Sequence, residues 1–308
     1  MSSLKITNIL LDKDLIQIFN KINKNKNIIK IHFNGNQLSV IPSEIGNLLP
    51  LIKIDFQNNN LLLLPSEIGL LTKLKEIYVN NNDIVKMPNE IGMLNRLEVL
   101  HLHNNNLSYI PKEFGQLNYL KELRLNNNKL EALPTEIGEC YNLEKLYLEN
   151  NNLEIIPSEL GQLKNLKILI LDNNFLLSVP SELGQLNYLE EFSIHNNLLT
   201  LIPSEFGQLI NLIYLNISNN KLELLPSEYG QLHNLKVLNS GNNKLKTIPF
   251  QFKDLKKLEE LNLVNNDLIS LPKIVFSELN NLKNIIISSD DFYSIREDIE
   301  NLPFLNLV

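Results

Sequence analysis

Leu143 to Asn165 reads LEKLYLENNNLEIIPSELGQLKN, and close copies of this 23-residue segment follow one another along most of the 308-residue chain. The asparagine near its middle returns every 23 residues without a change of spacing. The eleven copies of this asparagine are Asn36, Asn59, Asn82, Asn105, Asn128, Asn151, Asn174, Asn197, Asn220, Asn243 and Asn266. An unbroken period of this length predicts a solenoid in which each repeat packs only against its neighbours.

Each repeat opens with a short predicted strand. Leu146 and Leu148 are two residues apart, so their side chains lie on one face of an extended chain, and that face is the core. Tyr147, between them, points to the opposite face. Strands of successive repeats are expected to pair in parallel about 4.8 Å apart.

The repeated asparagine follows the strand, where the chain must turn. The backbone polar groups of a buried turn need partners. An amide side chain carries both donors and acceptors, so one asparagine can bond its own turn and the neighbouring repeat. We therefore predict that the eleven asparagines form an internal structural ladder. The alternative interpretation is an exposed polar row that binds a partner.

The second half of each repeat carries proline and glycine at fixed positions. Eleven of the 13 prolines occupy the position of Pro157, and nine of the 11 glycines occupy the position of Gly161. Proline favours the start of a helical turn, and few residues remain before the next strand, so a 3₁₀ or single α-turn is predicted there. The glycine indicates either a positive φ or a close approach of two backbones.

Both ends of the chain depart from the repeat. Residues 1–27 carry apolar side chains at helical spacing, which predicts an N-terminal helical cap with Asp12 or Asp14 at its start. Residues 28–281 hold the eleven repeats. Residues 282–308 are predicted to form a degenerate twelfth repeat and a C-terminal cap, in which Asp290 replaces the asparagine.

Composition argues against several functional classes. The net charge is −7 and no basic run is present, which argues against nucleic acid as a partner. No apolar stretch reaches 18 residues, so no membrane span is expected. Cys140 is the only cysteine, and a single thiol cannot form an intrachain disulfide. This usage is typical of a reducing compartment, so we expect a cytoplasmic protein.

The repeat frame, with its LPSEIG segment at Leu64–Gly69 and IPSELGQL segment at Ile156–Leu163, resembles the leucine-rich repeat family over residues 28–304. It is most similar to the 23-residue intracellular class of Scribble-like proteins, of the Ras-pathway scaffold subunit of a phosphatase holoenzyme, and of plant Ras-group-related proteins. The resemblance implies an α/β horseshoe with a concave parallel sheet that binds proteins, and short 3₁₀ or α segments on the convex side.

Candidate partner-binding residues lie where the strand side chains point away from the core. Tyrosine and arginine often dominate binding energy, and an exposed apolar residue beside the asparagine row often marks an interaction site. The candidates are Tyr78, His101, His103, Arg124, Tyr147, Ile170 and Phe175. An ordinary solvated sheet face is the alternative, because aromatic and β-branched side chains suit strands.

No motif in the sequence predicts catalysis, a cofactor or a metal. His101 and His103 share one strand face but supply two ligands, whereas structural zinc requires four. We therefore predict a monomeric, non-enzymatic module that binds a protein on its concave face, as in a signalling scaffold. The alternatives are a small-GTPase effector, a regulatory subunit of an enzyme such as a phosphatase complex, and a microbial effector directed at a host.

Overall fold

The computed structural model describes residues 2–6, 12–24, 27–299 and 305–307. The chain forms two compact units, Met1–Asn152 and Leu153–Val308. Both units repeat one arrangement of a short strand, a turn and a five-residue 3₁₀ segment.

The first unit contains seven strands among its described residues, and each of the first six pairs in parallel with the next strand along the chain. Its elements are β1 (Ser2–Lys5), α1 (Asp12–Lys24), β2 (Ile28–His32), β3 (Lys53–Asp55), β4 (Glu76–Tyr78), β5 (Val99–His101), β6 (Glu122–Arg124) and β7 (Lys145–Tyr147). Its 3₁₀ segments are Ser43–Asn47, Ser66–Leu70, Asn89–Met93, Lys112–Gln116 and Thr135–Glu139.

The second unit continues the same order, again with parallel pairing of consecutive strands. Its elements are β8 (Ile168–Ile170), β9 (Glu191–Ser193), β10 (Tyr214–Asn216), β11 (Val237–Asn239), β12 (Glu260–Asn262), α2 (Lys273–Glu278), β13 (Asn284–Ile287), α3 (Ser289–Ile299) and β14 (Leu305–Leu307). Its 3₁₀ segments are Ser158–Gln162, Ser181–Gln185, Ser204–Gln208, Ser227–Gln231 and Phe250–Asp254. The predicted α/β solenoid of parallel strands and 3₁₀ turns is therefore confirmed.

The core lies between the strands and the 3₁₀ segments of each repeat. Leu123 and Leu125 of one strand, Leu130 of its turn and Ile137 of the following 3₁₀ segment have no exposed surface. Proline precedes each 3₁₀ segment with an extended backbone, for example φ −70° and ψ 144° at Pro157, and so turns the chain into the segment.

The repeated asparagines bond two turns at once. The Asn105 side-chain nitrogen Nδ2 donates to the carbonyl oxygen of Leu102 in its own turn (2.9 Å) and to that of Val79 in the preceding repeat (3.1 Å). Its Oδ1 accepts the backbone N–H of Ile84, also in the preceding repeat (2.9 Å). The first ten asparagines are buried and Asn266 is half-buried. Each amide therefore satisfies backbone groups that the turn would otherwise leave buried and unpaired.

A second feature that recurs in every turn was not predicted from the sequence. The residue before each repeated asparagine has a positive φ, which is 69° at Gly35 and lies between 52° and 58° at ten asparagines, from Asn58 to Asn265. Asparagine and glycine are the residues that most readily adopt this left-handed conformation. The signal was present in the sequence as the repeated Asn-Asn pair.

The repeated glycine allows a close backbone approach and does not supply a positive φ. A Cβ atom at Gly92 would lie 2.6 Å from the carbonyl oxygen of Glu113, one repeat further along. Gly69 faces Glu90 in the same way, at 2.7 Å. Glycine at this position therefore lets successive 3₁₀ segments stack directly on each other.

The first repeat is covered by α1. Leu15, Phe19 and Ile22 of this helix are buried, and the ring of Phe19 stacks on that of Phe33 at 6.2 Å. The Asp12 carboxylate accepts the backbone N–H of Ser39 at 2.8 Å, which ties the start of the helix to the turn of the first repeat. Strand β1, which pairs with β2, was not anticipated.

Asp291, and not Asp290, takes the place of the asparagine after the eleventh repeat. Its carboxylate accepts the backbone N–H groups of Leu268 and Asn266, both at 3.1 Å, and the Ser288 hydroxyl. The prediction of Asp290 was wrong because it counted one extra residue: strands β12 and β13 are already offset by 24 positions, as Leu261 pairs with Ile285, and the chain gains one more residue between β13 and Asp291.

Replacing one ladder asparagine should destabilise the protein. Asn128→Ala removes the partners of the Leu102 and Leu125 carbonyls and of the Leu107 N–H. Each buried group left unpaired costs about 1–3 kcal/mol, so we expect a loss of about 3 kcal/mol or more in the free energy of unfolding.

The matched control is Asn127→Gly, at the adjacent position with positive φ, where glycine fits the backbone. This variant should stay within about 0.5–1 kcal/mol of the parent protein. Urea unfolding of both variants measures the difference, and equal stability of the two would contradict the assigned role of the ladder.

Candidate functional site

Strand register brings four of the candidate residues into one row on the sheet face opposite the core. Tyr78, His101, Arg124 and Tyr147 are the last residues of β4, β5, β6 and β7, and each lies directly beside the next. All four are half-buried. Together with His103, two residues beyond His101, we call them the strand-face patch.

Tyr78 is fixed at one end of the strand-face patch. Its hydroxyl donates to Glu76 Oε2 at 3.0 Å, and the Lys53 ammonium lies 4.2 Å above the centre of its ring. Lys53 also pairs with Glu76 at 2.7 Å. Burial and the hydrogen bond to Glu76 raise the pKa of Tyr78 to about 12, so the phenol stays protonated and remains a donor.

Glu122 lies at the centre of the strand-face patch and pairs with three neighbours. Its Oε1 accepts from His101 Nε2 at 2.9 Å and from Arg124 Nε at 2.7 Å, while Lys145 Nζ lies 3.7 Å from Oε2. Burial raises the pKa of Glu122, but the hydrogen bonds from Arg124 and His101 outweigh this effect and leave the pKa below its usual value. The carboxylate is therefore charged at neutral pH.

Aromatic contacts complete the row. The His101 ring packs edge-on against Tyr78, with 4.8 Å between ring centres. At the other end, the Arg124 guanidinium carbon lies 4.7 Å from the centre of the Tyr147 ring, a cation–π contact. Each side chain in the row is thus held by its neighbour in the adjacent strand.

The two histidines of the strand-face patch are neutral at pH 7. Their rings lie 5.6 Å apart, and His103 Nδ1 is buried without a hydrogen-bond partner among the described residues. Burial, followed by the effects of His101 and Arg124, lowers the pKa of His103 to about 4. Burial also lowers the pKa of His101, despite the opposing effect of its hydrogen bond to Glu122. Within the described ranges, no group of three or more His, Cys, Asp or Glu residues could hold a metal ion.

The remaining two candidates belong to the second unit. Ile170 is the last residue of β8 and pairs with Ser193 of β9. Phe175 follows the ladder residue Asn174 and has half of its surface exposed. The sequence alone grouped these two residues with the strand-face patch, and the structure describes them in the other unit.

The second unit also contains a polar cluster that was not predicted from the sequence. Asp172 accepts the Ser193 hydroxyl at 2.6 Å and the backbone N–H of His195 at 2.7 Å, and His195 Nδ1 lies 2.9 Å from the Ser218 hydroxyl. The acid therefore bonds the backbone of His195, whereas a catalytic triad requires a bond to the imidazole. Ser218 is 3% exposed and its hydroxyl donates to Asn216 Oδ1, which suits a structural role.

Family comparison agrees with the repeat geometry. The leucine-rich repeat region family matches residues 29–127 and 99–202, and a second leucine-rich repeat family matches residues 210–268. The chain belongs to the leucine-rich repeat family. No curated protein sequence matches it.

Several solved structures of the same family are similar to this chain. A leucine-rich repeat protein of Leptospira interrogans is 33% identical, over 100% of this chain and 90% of that chain, with a TM-score of 0.62. The plant peptide hormone receptor RGFR1, in complex with RGF2, is 28% identical over 93% of this chain and 56% of that chain, with a TM-score of 0.70. An internalin of Listeria monocytogenes shares the fold, at 24% identity over 92% of this chain and 81% of that chain, with a TM-score of 0.77.

Leucine-rich repeat domains mediate protein–protein interactions and are typically non-enzymatic binding modules. This general role agrees with the predicted class of function. Of the helices that the structure describes, none has the length and apolar character to cross a membrane.

The lowered pKa of His103 predicts a specific pH dependence of stability. The unfolded histidine has a pKa of about 6.5, so between pH 6.5 and about pH 4 the unfolded chain binds a proton that the folded protein does not. His103 therefore makes the protein less stable as the pH falls through this range. His103→Asn, which places the residue found at Asn80 and Asn126, should reduce the difference in urea midpoint between pH 7 and pH 4.5.

The exposed residue His233 supplies the control, as His233→Asn. The difference in urea midpoint between pH 7 and pH 4.5 should be smaller in His103→Asn than in the parent protein and in this control. An equal difference in all three proteins would rule out the buried neutral state of His103.

Proposed function

We propose that this leucine-rich repeat protein binds a protein partner through the strand-face patch. The observation that carries the proposal is the row of Tyr78, His101, Arg124 and Tyr147, in register on neighbouring strands and each held by a described contact. Tyrosine and arginine are enriched among the residues that dominate binding energy at protein interfaces.

The contacts within the row favour binding because they reduce its entropic cost. Ordering a flexible side chain at an interface costs about 0.5–1.5 kcal/mol. Tyr78 is already fixed by Glu76 and Lys53, and Arg124 is fixed by Glu122 and Tyr147. A partner that docks on these side chains would therefore meet a surface that is ordered before binding.

A similar protein supports an external ligand. RGFR1, which resembles 93% of this chain, was solved in complex with RGF2. We propose that the partner binds the sheet face of this chain, on the side expected to be concave, because the strand-face patch lies on that face. In the second unit, Ile170 and Phe175 are proposed as additional partner contacts, because each presents an apolar side chain beside polar neighbours.

We further propose that the protein acts in the cytoplasm as a monomeric scaffold in signalling. The single cysteine supports a reducing location. Cys140 is buried, its thiol donates to the carbonyl of Phe114 at 3.2 Å, and burial raises its pKa to about 12. A thiol of this kind reacts slowly and serves as a small apolar side chain in the core.

The test begins with affinity purification from the source cells, followed by binding measurements with the purified partner. Tyr78→Ala combined with Tyr147→Ala should weaken binding about 30-fold or more, because truncation of interface hot spots costs about 2 kcal/mol or more. Tyr188→Ala is the control, since this tyrosine has 58% of its surface exposed and lies outside the strands.

Thermal unfolding establishes that the double variant remains folded. A captured protein that binds the folded double variant as tightly as the parent protein uses a surface other than the strand-face patch. If all captured proteins behave in this way, the proposed function is wrong.

A further inference from the structure

The side chain of Arg124 makes one hydrogen bond to the described residues, and that bond uses Nε. The guanidinium group has five N–H donors, so the four donors on its two terminal nitrogens remain available. The Arg124 side chain is 38% exposed, whereas the Glu122 side chain that anchors it is 18% exposed. Neither terminal nitrogen of Arg124 is among the buried polar atoms without a partner, so both are accessible to a ligand.

The orientation of this group is fixed from two directions. Glu122 accepts the Nε–H of Arg124 at 2.7 Å, and the guanidinium carbon lies over the Tyr147 ring, 4.7 Å from its centre. Two terminal N–H groups of a guanidinium match the two oxygens of a carboxylate in a planar, bidentate pair. Arg124 is therefore already positioned for an oxyanion, and a partner would not need to order its side chain.

The local charge also favours an anion. Glu122 carries one negative charge, whereas Arg124 and Lys145 beside it carry two positive charges, and Lys145 has 42% of its side chain exposed. His101, which also contacts Glu122, is neutral at pH 7 because its pKa is lowered. Among the charged groups in contact with Glu122, two cations thus face one carboxylate.

We propose that Arg124 is the specificity-determining residue of the strand-face patch and that it receives an aspartate or glutamate side chain from an acidic peptide segment of the partner. This inference rests on the proposed function. The terminal nitrogens of Arg124 bind the carboxylate, Lys145 adds a second positive charge, and Tyr78 and Tyr147 pack against the apolar part of the same segment. Basic partner segments are rejected by the charge of Arg124 and Lys145.

The experiment uses a random library of unmodified 12-residue peptides displayed on phage and selected on the full chain. Selected peptides are synthesised, and their affinities are measured for the parent protein, Arg124→Ala, Arg124→Lys, the Tyr78→Ala and Tyr147→Ala double variant, and Arg96→Ala. Arg96 is the matched control because it is an exposed arginine outside the strand-face patch. Thermal unfolding checks that every variant is folded.

We expect the selected peptides to be enriched in aspartate and glutamate. Changing the critical acidic residue of a peptide to its amide should weaken binding to the parent protein and to Arg96→Ala by about tenfold or more. The same change should have less than about a twofold effect on Arg124→Ala, because the partner of the carboxylate is already gone. Arg124→Lys should bind acidic peptides more weakly than the parent protein, since lysine keeps the charge but loses the planar fork.

The outcomes separate this inference from the proposed function. Peptides that depend on Tyr78 and Tyr147 but contain no critical acidic residue would overturn the role of Arg124 and leave the proposed function standing. An amide substitution that costs the same in the parent protein and in Arg124→Ala would also overturn it. Peptides that bind all variants of the strand-face patch equally, or a selection that yields no binding peptide, would contradict both.

Discussion

The hydrogen bonds of the ladder asparagines are the interaction on which the rest of the structure depends. Each 23-residue repeat makes a buried turn after its strand. This turn leaves backbone groups that neither the strand nor the 3₁₀ segment can pair. One amide satisfies its own turn and the preceding one, as Asn105 does with Leu102, Val79 and Ile84. The asparagine before it supplies the left-handed bend that aims the next side chain inward. Repeat after repeat, these bonds keep the strands in register.

That register creates the candidate site. Because parallel strands lie about 4.8 Å apart, residues at the same position of successive repeats must touch or repel one another. Tyr78 meets His101 edge-on, and Arg124 lies over Tyr147, because each pair differs by 23 positions. Glu122 then pairs with the two neighbouring cations, Arg124 and Lys145. The repeat itself aligns the strand-face side chains in rows. The chemical character of each row depends on the few positions that differ between repeats.

The sequence predicted the features that depend on period and failed at those that depend on side-chain partners. The spacing alone located the ladder positions and the row from Tyr78 to Tyr147. It did not predict that Glu122 would hold both His101 and Arg124, because a side chain can reach several neighbours and only the packed structure selects among them. Asp291 was missed for a related reason, since the turn after β13 holds a second extra residue, and only the hydrogen bond from the Leu268 N–H identifies the acceptor.

Hydrogen exchange of asparagine side-chain amides tests the role of the ladder most directly. In protein labelled with ¹⁵N at asparagine, the Nδ2 protons of Asn59, Asn105 and Asn128 donate to buried carbonyl groups and should exchange slowly. We expect their exchange to be roughly a hundredfold or more slower than that of the exposed Asn118 side chain. Exchange of the ladder amides at the rate of Asn118 would show that these bonds do not hold the repeats together.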